Sequence, residues 1–273
     1  MKNPAILAHN LLLVNEAEKI AAAMKSAAVD CLFLKGIAML RSGAARADER
    51  TMSDVDILVR PADKAKARVV LEGLGYELKA DDTSSFFRFA DSTVLTAAAD
   101  LHDSLWHCAA ETLFAEAVIR GGLKIPCPED MAVHILAHSL LHRGCLSERA
   151  KNDFLAVSAL PSFNADKFMA RARFCGVGAL AAEAAKQTGL GNFPSGGFIK
   201  NFLARAACKR TVPWPLMEYL LPVAFAPKTA LGRLWPPTGE LREAYGGAGF
   251  TARLRRICLV LSNCAGSFFR RSR

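Results

Sequence analysis

Three aspartates, a lysine and a glycine carry the chemistry this chain is equipped for. Asp54 and Asp56 stand two residues apart in the run Ser53-Asp54-Val55-Asp56-Ile57-Leu58-Val59. Val55, Ile57 and Val59 alternate with them, the period of a strand, so both carboxylates point one way while the apolar partners face a core. Like charges that close repel. A divalent cation relieves the repulsion, and magnesium takes hard oxygen ligands while keeping substrate phosphates among them. A third acid, Asp100, lies near the end of the apolar run Thr93–Leu101. If that run is a strand beside Asp54–Val59, the three carboxylates form one cluster able to hold one or two Mg²⁺ ions, or Mn²⁺ in their place. Such ions neutralise triphosphate charge and help a hydroxyl attack the α-phosphorus in line. Upstream, Gly36 at a helix start lets backbone N–H groups approach phosphates closely, with Lys35 as a nearby cation.

Each residue also has an ordinary reading. Asp-X-Asp alone occurs on solvated strand edges; Lys35-Gly36 before it and Asp100 after it favour the metal site. Arg50 is either a plain loop charge or a residue with a phosphate-contact or structural salt-bridge role. His134, His138 and His142 share one helix face, and zinc accepts such ligands. Three turns span ~12 Å, however, too far for one ion to touch all three. Lining a cleft between sheet and helices, with His138 among the lining residues, or packing there with hydrogen bonds, is the better reading. His102, His107 and Cys108 have no second cysteine pair to complete a zinc site. His102 beside Asp100 orients the acid or touches substrate.

The elements that must position these groups follow from periodicity. Apolar Leu7, Leu11, Val14, Ala17, Ile20, Ala21 and Met24 mark an amphipathic helix over 4–28. Cys31 to Leu34 reads as a buried strand, Ile37 to Ser42 as a helix, Gly43 to Ser53 as a polar loop and Asp54 to Val59 as a strand. Pro61 suits the first turn of a helix through Lys64 to Leu74, which Gly75 stops. Tyr76-Glu77-Leu78 begins a third strand. Phe86–Phe89 and Thr93–Leu101 read as a hairpin turning at Ala90-Asp91-Ser92. Beyond residue 103, Met131–His142, Glu148–Leu160, Ala165–Phe174, Gly178–Gln187 and Phe198–Ala207 all have helical period, and Trp235-Pro236-Pro237 reads as a loop. The expected class is α+β: a small mixed sheet with helices over 1–103, then a mostly helical region over 104–273.

The chain has 273 residues, 52% hydrophobic, with mean hydropathy +0.18, enough for a sizeable core. Its net charge of +9 suits an anionic partner such as nucleotide, nucleic acid or membrane headgroups. Part of that excess sits in Arg253, Arg255, Arg256, Arg270, Arg271 and Arg273. That tail reads as a solvated helix face, with nucleic-acid or membrane-surface contact as the alternative. The eight cysteines form no CxxC pair and read as buried thiols of a reducing compartment. The N-terminal apolar run is broken by His9 and Asn10 and lacks a cleavage signature. Ile257 to Ala265 is too short to span a bilayer, which takes ~20 apolar residues. A soluble, cytoplasmic protein with no transmembrane segment is expected.

Leu34-Lys35-Gly36 followed by Arg50 and Ser53-Asp54-Val55-Asp56-Ile57-Leu58-Val59 resembles the nucleotidyltransferase superfamily of DNA polymerase β type. More narrowly, the chain resembles the bacterial uncharacterised nucleotidyltransferase family over roughly residues 30–160. Gly75-Tyr76, Asp100-Leu101-His102 and Pro128-Glu129-Asp130 with the following histidines extend the match. The resemblance implies a nucleotidyltransferase core and NTP-dependent, pyrophosphate-releasing transfer of a nucleoside monophosphate to a hydroxyl on a protein, RNA or small molecule. It implies Asp54, Asp56 and Asp100 as metal ligands, with Lys35, Gly36, Arg50 and Ser53 at the nucleotide. Many superfamily members have Gly-Ser or Gly-Gly at the corner, whereas this chain has Gly36-Ile37 and lacks the hydroxyl contact to phosphate. The alternative is therefore a catalytically inactive nucleotide-binding or protein-interaction module on the same fold.

Overall fold

The computed structural model of the protein describes residues 3–78, 85–89, 95–105, 107–194, 197–209 and five positions between 221 and 227. The Ala90-Asp91-Ser92 turn, the Trp235-Pro236-Pro237 loop, Cys258, Cys264 and the arginine-rich tail lie outside the described residues. The described cysteines are free, and no described helix is long and apolar enough to cross a membrane.

Helix α1 (Pro4–Ser26) starts at Asn3, whose side chain accepts from the Ala5 and Ile6 N–H groups, with proline at the first helical position. Its stripe of Leu13, Ala17, Ile20 and Met24 is fully buried, as the three-to-four spacing requires. Strand β1 (Cys31–Phe33) leads into α2 (Lys35–Ser42). Gly43 ends α2 at φ 81, a left-handed cap that glycine takes without steric cost. Strand β2 (Val55–Val59) follows, then a 3-10 turn and α3 (Lys64–Gly73). Strands β3 (Glu77–Leu78), β4 (Ser85–Phe89) and β5 (Leu95–His102) complete a five-stranded sheet of order β1-β2-β5-β4-β3. Only β2 and β5 pair in parallel; the other neighbours are antiparallel.

All of β2 is buried, on both faces. This differs from the single core face that the alternation suggested. At Leu58 the reason is α4 (Ala110–Phe114), an element periodicity does not mark. Its Ala110, Leu113 and Phe114 close over Leu32, Leu34 and Leu58. Leu58 shares the side of β2 that carries Asp56, so the acidic face runs into an apolar cluster. Each leucine buried there contributes about 2 kcal/mol.

Residues after α4 form a hairpin, β6 (Val118–Arg120) and β7 (Leu123–Ile125), again unmarked by the sequence period. The remaining elements are helical as expected: α5 (Pro128–Ala137), α6 (Glu148–Ser158), α7 (Ala165–Phe174), α8 (Gly178–Thr188) and α9 (Phe198–Lys209). One departure is that α5 does not run on regularly to His142; residues His138–His142 form a π turn. The chain divides into two compact units. One holds Met1–Ile135 with Asn152–Phe168, the other Leu136–Lys151 with Met169–Arg273. In the second unit α8 packs on α9, and Ala181, Ala184, Ala185, Ala204 and Ala207 of these helices are buried.

Candidate functional site

The parallel pairing of β2 with β5 sets Asp56 opposite Asp100 and Leu58 opposite His102. Strand period puts Asp100 and His102 on one face of β5. Ligand-capable atoms of Asp56, Asp100 and His102 lie within 4.8 Å of one another, the only such group of three among the described residues. Asp54 stands one residue before β2, partly buried.

Asp56 is 2% exposed. An ion that deep costs several kcal/mol unless it is paired. Its Oδ1 accepts from Lys35 Nζ at 2.6 Å and meets His102 Nε2 at 3.2 Å. Burial pushes the Asp56 carboxyl up, but the hydrogen bond from His102 and the charge of Lys35 outweigh it, leaving the group below the usual carboxylate range. Asp54 moves the other way. Burial raises it first and the charge of Asp56 adds to this; the Ser53 hydroxyl, donating at 3.0 Å, opposes, and Asp100 raises it again. Oxygen and nitrogen donors thus converge beside a carboxylate held in the field of two others. That set fits a divalent cation, which satisfies the donors and removes the repulsion on Asp54.

The corner before α2 is attached directly to this strand. The Leu34 N–H donates to the Asp56 carbonyl at 2.9 Å. Lys35 follows at φ 43, a left-handed backbone that residues other than glycine seldom adopt. Gly36 has its own reason to be glycine. A Cβ there would lie 2.5 Å from Met52 Sδ and 3.2 Å from Arg50 Nη1. Ile37 is fully buried, so the second corner position faces the core.

The loop between α2 and β2 is held from two sides. On α1, the buried Asn10 donates through Nδ2 to the carbonyls of Ala47 at 2.7 Å and Arg50 at 2.6 Å, and His9 Nε2 lies 3.1 Å from the Met52 carbonyl. On α6, Asp153 accepts from Arg50 Nε at 3.2 Å and Nη2 at 2.8 Å. Arg50 is therefore not a plain loop charge: it forms a structural salt bridge with Asp153. Asp153 is a site-supporting residue that sequence reasoning missed. Nothing in the sequence marks it, since the partners are 103 residues apart.

The other described histidine side chains lie outside this group. His134 is buried with its ring 5.4 Å from that of His107. Burial lowers His107 to about 4. His138 is half-buried on the π turn, and the His142 side chain lies outside the described residues.

The family model described as uncharacterised nucleotidyltransferase matches residues 3–190, a span that takes in the corner, the loop, both central strands and Asp153. No curated protein matches the chain. Among solved structures the chain is similar to the antibiotic-resistance factor ANT(2'')-Ia, with a TM-score of 0.44 and 15% identity over 59% of this chain and 90% of that one. With the family model covering most of its length, the chain belongs to the uncharacterised nucleotidyltransferase family.

Proposed function

We propose that the protein is a magnesium-dependent nucleotidyltransferase that moves a nucleoside monophosphate from an NTP to a hydroxyl of an acceptor. The observation that carries this reading is the register of Asp56 against Asp100, with His102 closing the group. Family membership supports it.

In this reading Asp54, Asp56 and Asp100 hold the cation. Magnesium, or manganese in its place, supplies positive charge against the triphosphate. Lys35 and the first N–H groups of α2 bind phosphate oxygens, Arg50 borders the corner, and Ser53 orients Asp54. The acceptor oxygen bonds to the α-phosphorus while the bond from that phosphorus to its bridging oxygen breaks, and pyrophosphate leaves with the electron pair. Asp100 takes the hydroxyl proton. Residues 104–273 select the acceptor, a protein, RNA or small molecule, and the basic tail adds affinity if the acceptor is a nucleic acid.

Incubation with each of four α-labelled NTPs, Mg²⁺ and a cell extract tests the reading. Label should pass to an acceptor with the wild type and not with Asp54→Ala or Asp56→Ala. Full transfer by both variants overturns it.

A second reading, a nucleotide-binding or protein-interaction module without transfer, is favoured by one observation. Ile37 is sealed in the core, so the corner offers no hydroxyl to a phosphate. Calorimetry with NTP and Mg²⁺ separates the two: binding with no pyrophosphate release in the presence of the extract selects the module.

A further inference from the structure

We infer that His102 is itself a ligand of the cation, making the site a mixed oxygen–nitrogen centre that prefers first-row transition ions to magnesium. The inference rests on the metal-dependent reading above and adds a donor to its three carboxylates.

Three observations carry it. His102 is two residues from Asp100 on the same strand, so both side chains leave one face of β5. A ring nitrogen of His102 and carboxylate oxygens of Asp56 and Asp100 all fall within 4.8 Å of one another. Two ligands on a common ion, each about 2.1 Å from it, stand no more than roughly 4.2 Å apart, so a small adjustment of the side chains is enough. The ring is also already aimed inward: its Nε2 meets Asp56 Oδ1 at 3.2 Å. That contact uses a proton on Nε2, and ligation through the same nitrogen requires only the tautomer with its proton on Nδ1. Lys35 keeps its own bond to Asp56 Oδ1, so the carboxylate retains a partner when the imidazole turns to the ion.

The consequence is selectivity. Magnesium demands oxygen ligands in near-ideal octahedral geometry, whereas imidazole nitrogen suits the transition ions. An all-carboxylate cluster gives little preference between Mg²⁺ and Mn²⁺; a cluster with one imidazole favours Mn²⁺.

MnCl₂ alone, added to the full chain, is the probe. Electron spin-echo modulation of the bound Mn²⁺ should show directly coupled ¹⁴N from imidazole. Titration followed by the free Mn²⁺ signal should give Mn²⁺ affinity at least tenfold above Mg²⁺ affinity, measured by competition. His102→Asn should lower Mn²⁺ affinity roughly tenfold to a hundredfold while leaving Mg²⁺ affinity within about threefold. Nitrogen modulation in the wild type establishes the ligand even if the variant does not fold. Mn²⁺ binding without nitrogen modulation, or an unchanged Mn²⁺ affinity in a folded His102→Asn, overturns the inference and leaves the carboxylate site standing. Absence of Mn²⁺ and Mg²⁺ binding in the wild type overturns both.

Discussion

Lys35 holds Asp56 at 2.6 Å from a left-handed backbone at φ 43. The corner is strained, and the ammonium it carries forms an ion pair with an almost fully buried acid. Strain of this kind persists where surrounding structure over-determines it, and it gathers at functional sites.

That relationship can be separated into its two parts. Lys35→Ala and Lys35→Gly both remove the ammonium, but only glycine relieves the left-handed backbone. An L-residue there costs roughly 1–2 kcal/mol. The glycine variant should therefore be more stable than the alanine variant by about 1 kcal/mol, read from urea midpoints. Equal midpoints would mean that the corner relaxes and stores no strain.

The two neighbouring aspartates should respond to pH with opposite signs. Asp54 binds its proton more tightly folded than unfolded, so its ionisation weakens the fold as pH rises through its raised value. Asp56 contributes stability that is full above its ordinary 3.8 and is lost as pH falls through its lowered value. Asp54→Asn keeps an acceptor for Ser53 and removes the charge. It should raise Tm by a few degrees near neutral pH and by nothing near pH 3, while abolishing transfer. Asp56→Asn should lower Tm near neutral pH and do so less in acid. Melting curves at the two pH values decide, and a fall in Tm for Asp54→Asn at neutral pH contradicts the assignment.

Arg50 and Asp153 should be energetically coupled. Their side chains are 13% and 15% exposed and meet through two hydrogen bonds. Exposed pairs contribute little, but charged hydrogen bonds this sheltered are stronger. A double-mutant cycle of Arg50→Ala and Asp153→Ala should give a coupling of about 2 kcal/mol. A value below about 0.5 kcal/mol would reduce the pair to a surface contact.

Gly36→Ala places a methyl group against Met52 and Arg50. Overpacking of this order costs about 1–3 kcal/mol. Met52→Ala removes the nearest obstacle, so the same change in that background should cost at most half as much. If the cost is undiminished, the clash with Met52 is not the cause.

Much of the site could be read before any coordinates. The alternation around Asp54 and Asp56 marks a strand, and β2 begins one residue inside the expected range. The buried stripe of α1 and the bounds of α7 follow from helical period. Asp100 falls within the expected strand Thr93–Leu101, whereas β5 runs one residue further than expected and so puts His102 on the same face. What periodicity missed has a common cause. Helix α4 and the β6–β7 hairpin are five and three residues per element, too short for a period to declare itself.

The sequence by itself determined the side-chain types, their parity along each strand and the family to which they belong, because those depend on near neighbours in the chain. Only the tertiary structure decided that β5 lies parallel to β2 with Asp100 level with Asp56, that His102 turns to Asp56, and that Asp153 anchors Arg50. Those relationships join segments far apart in the chain. They are set by which strand the crossover returns beside and which apolar faces close over one another, and no local pattern encodes either.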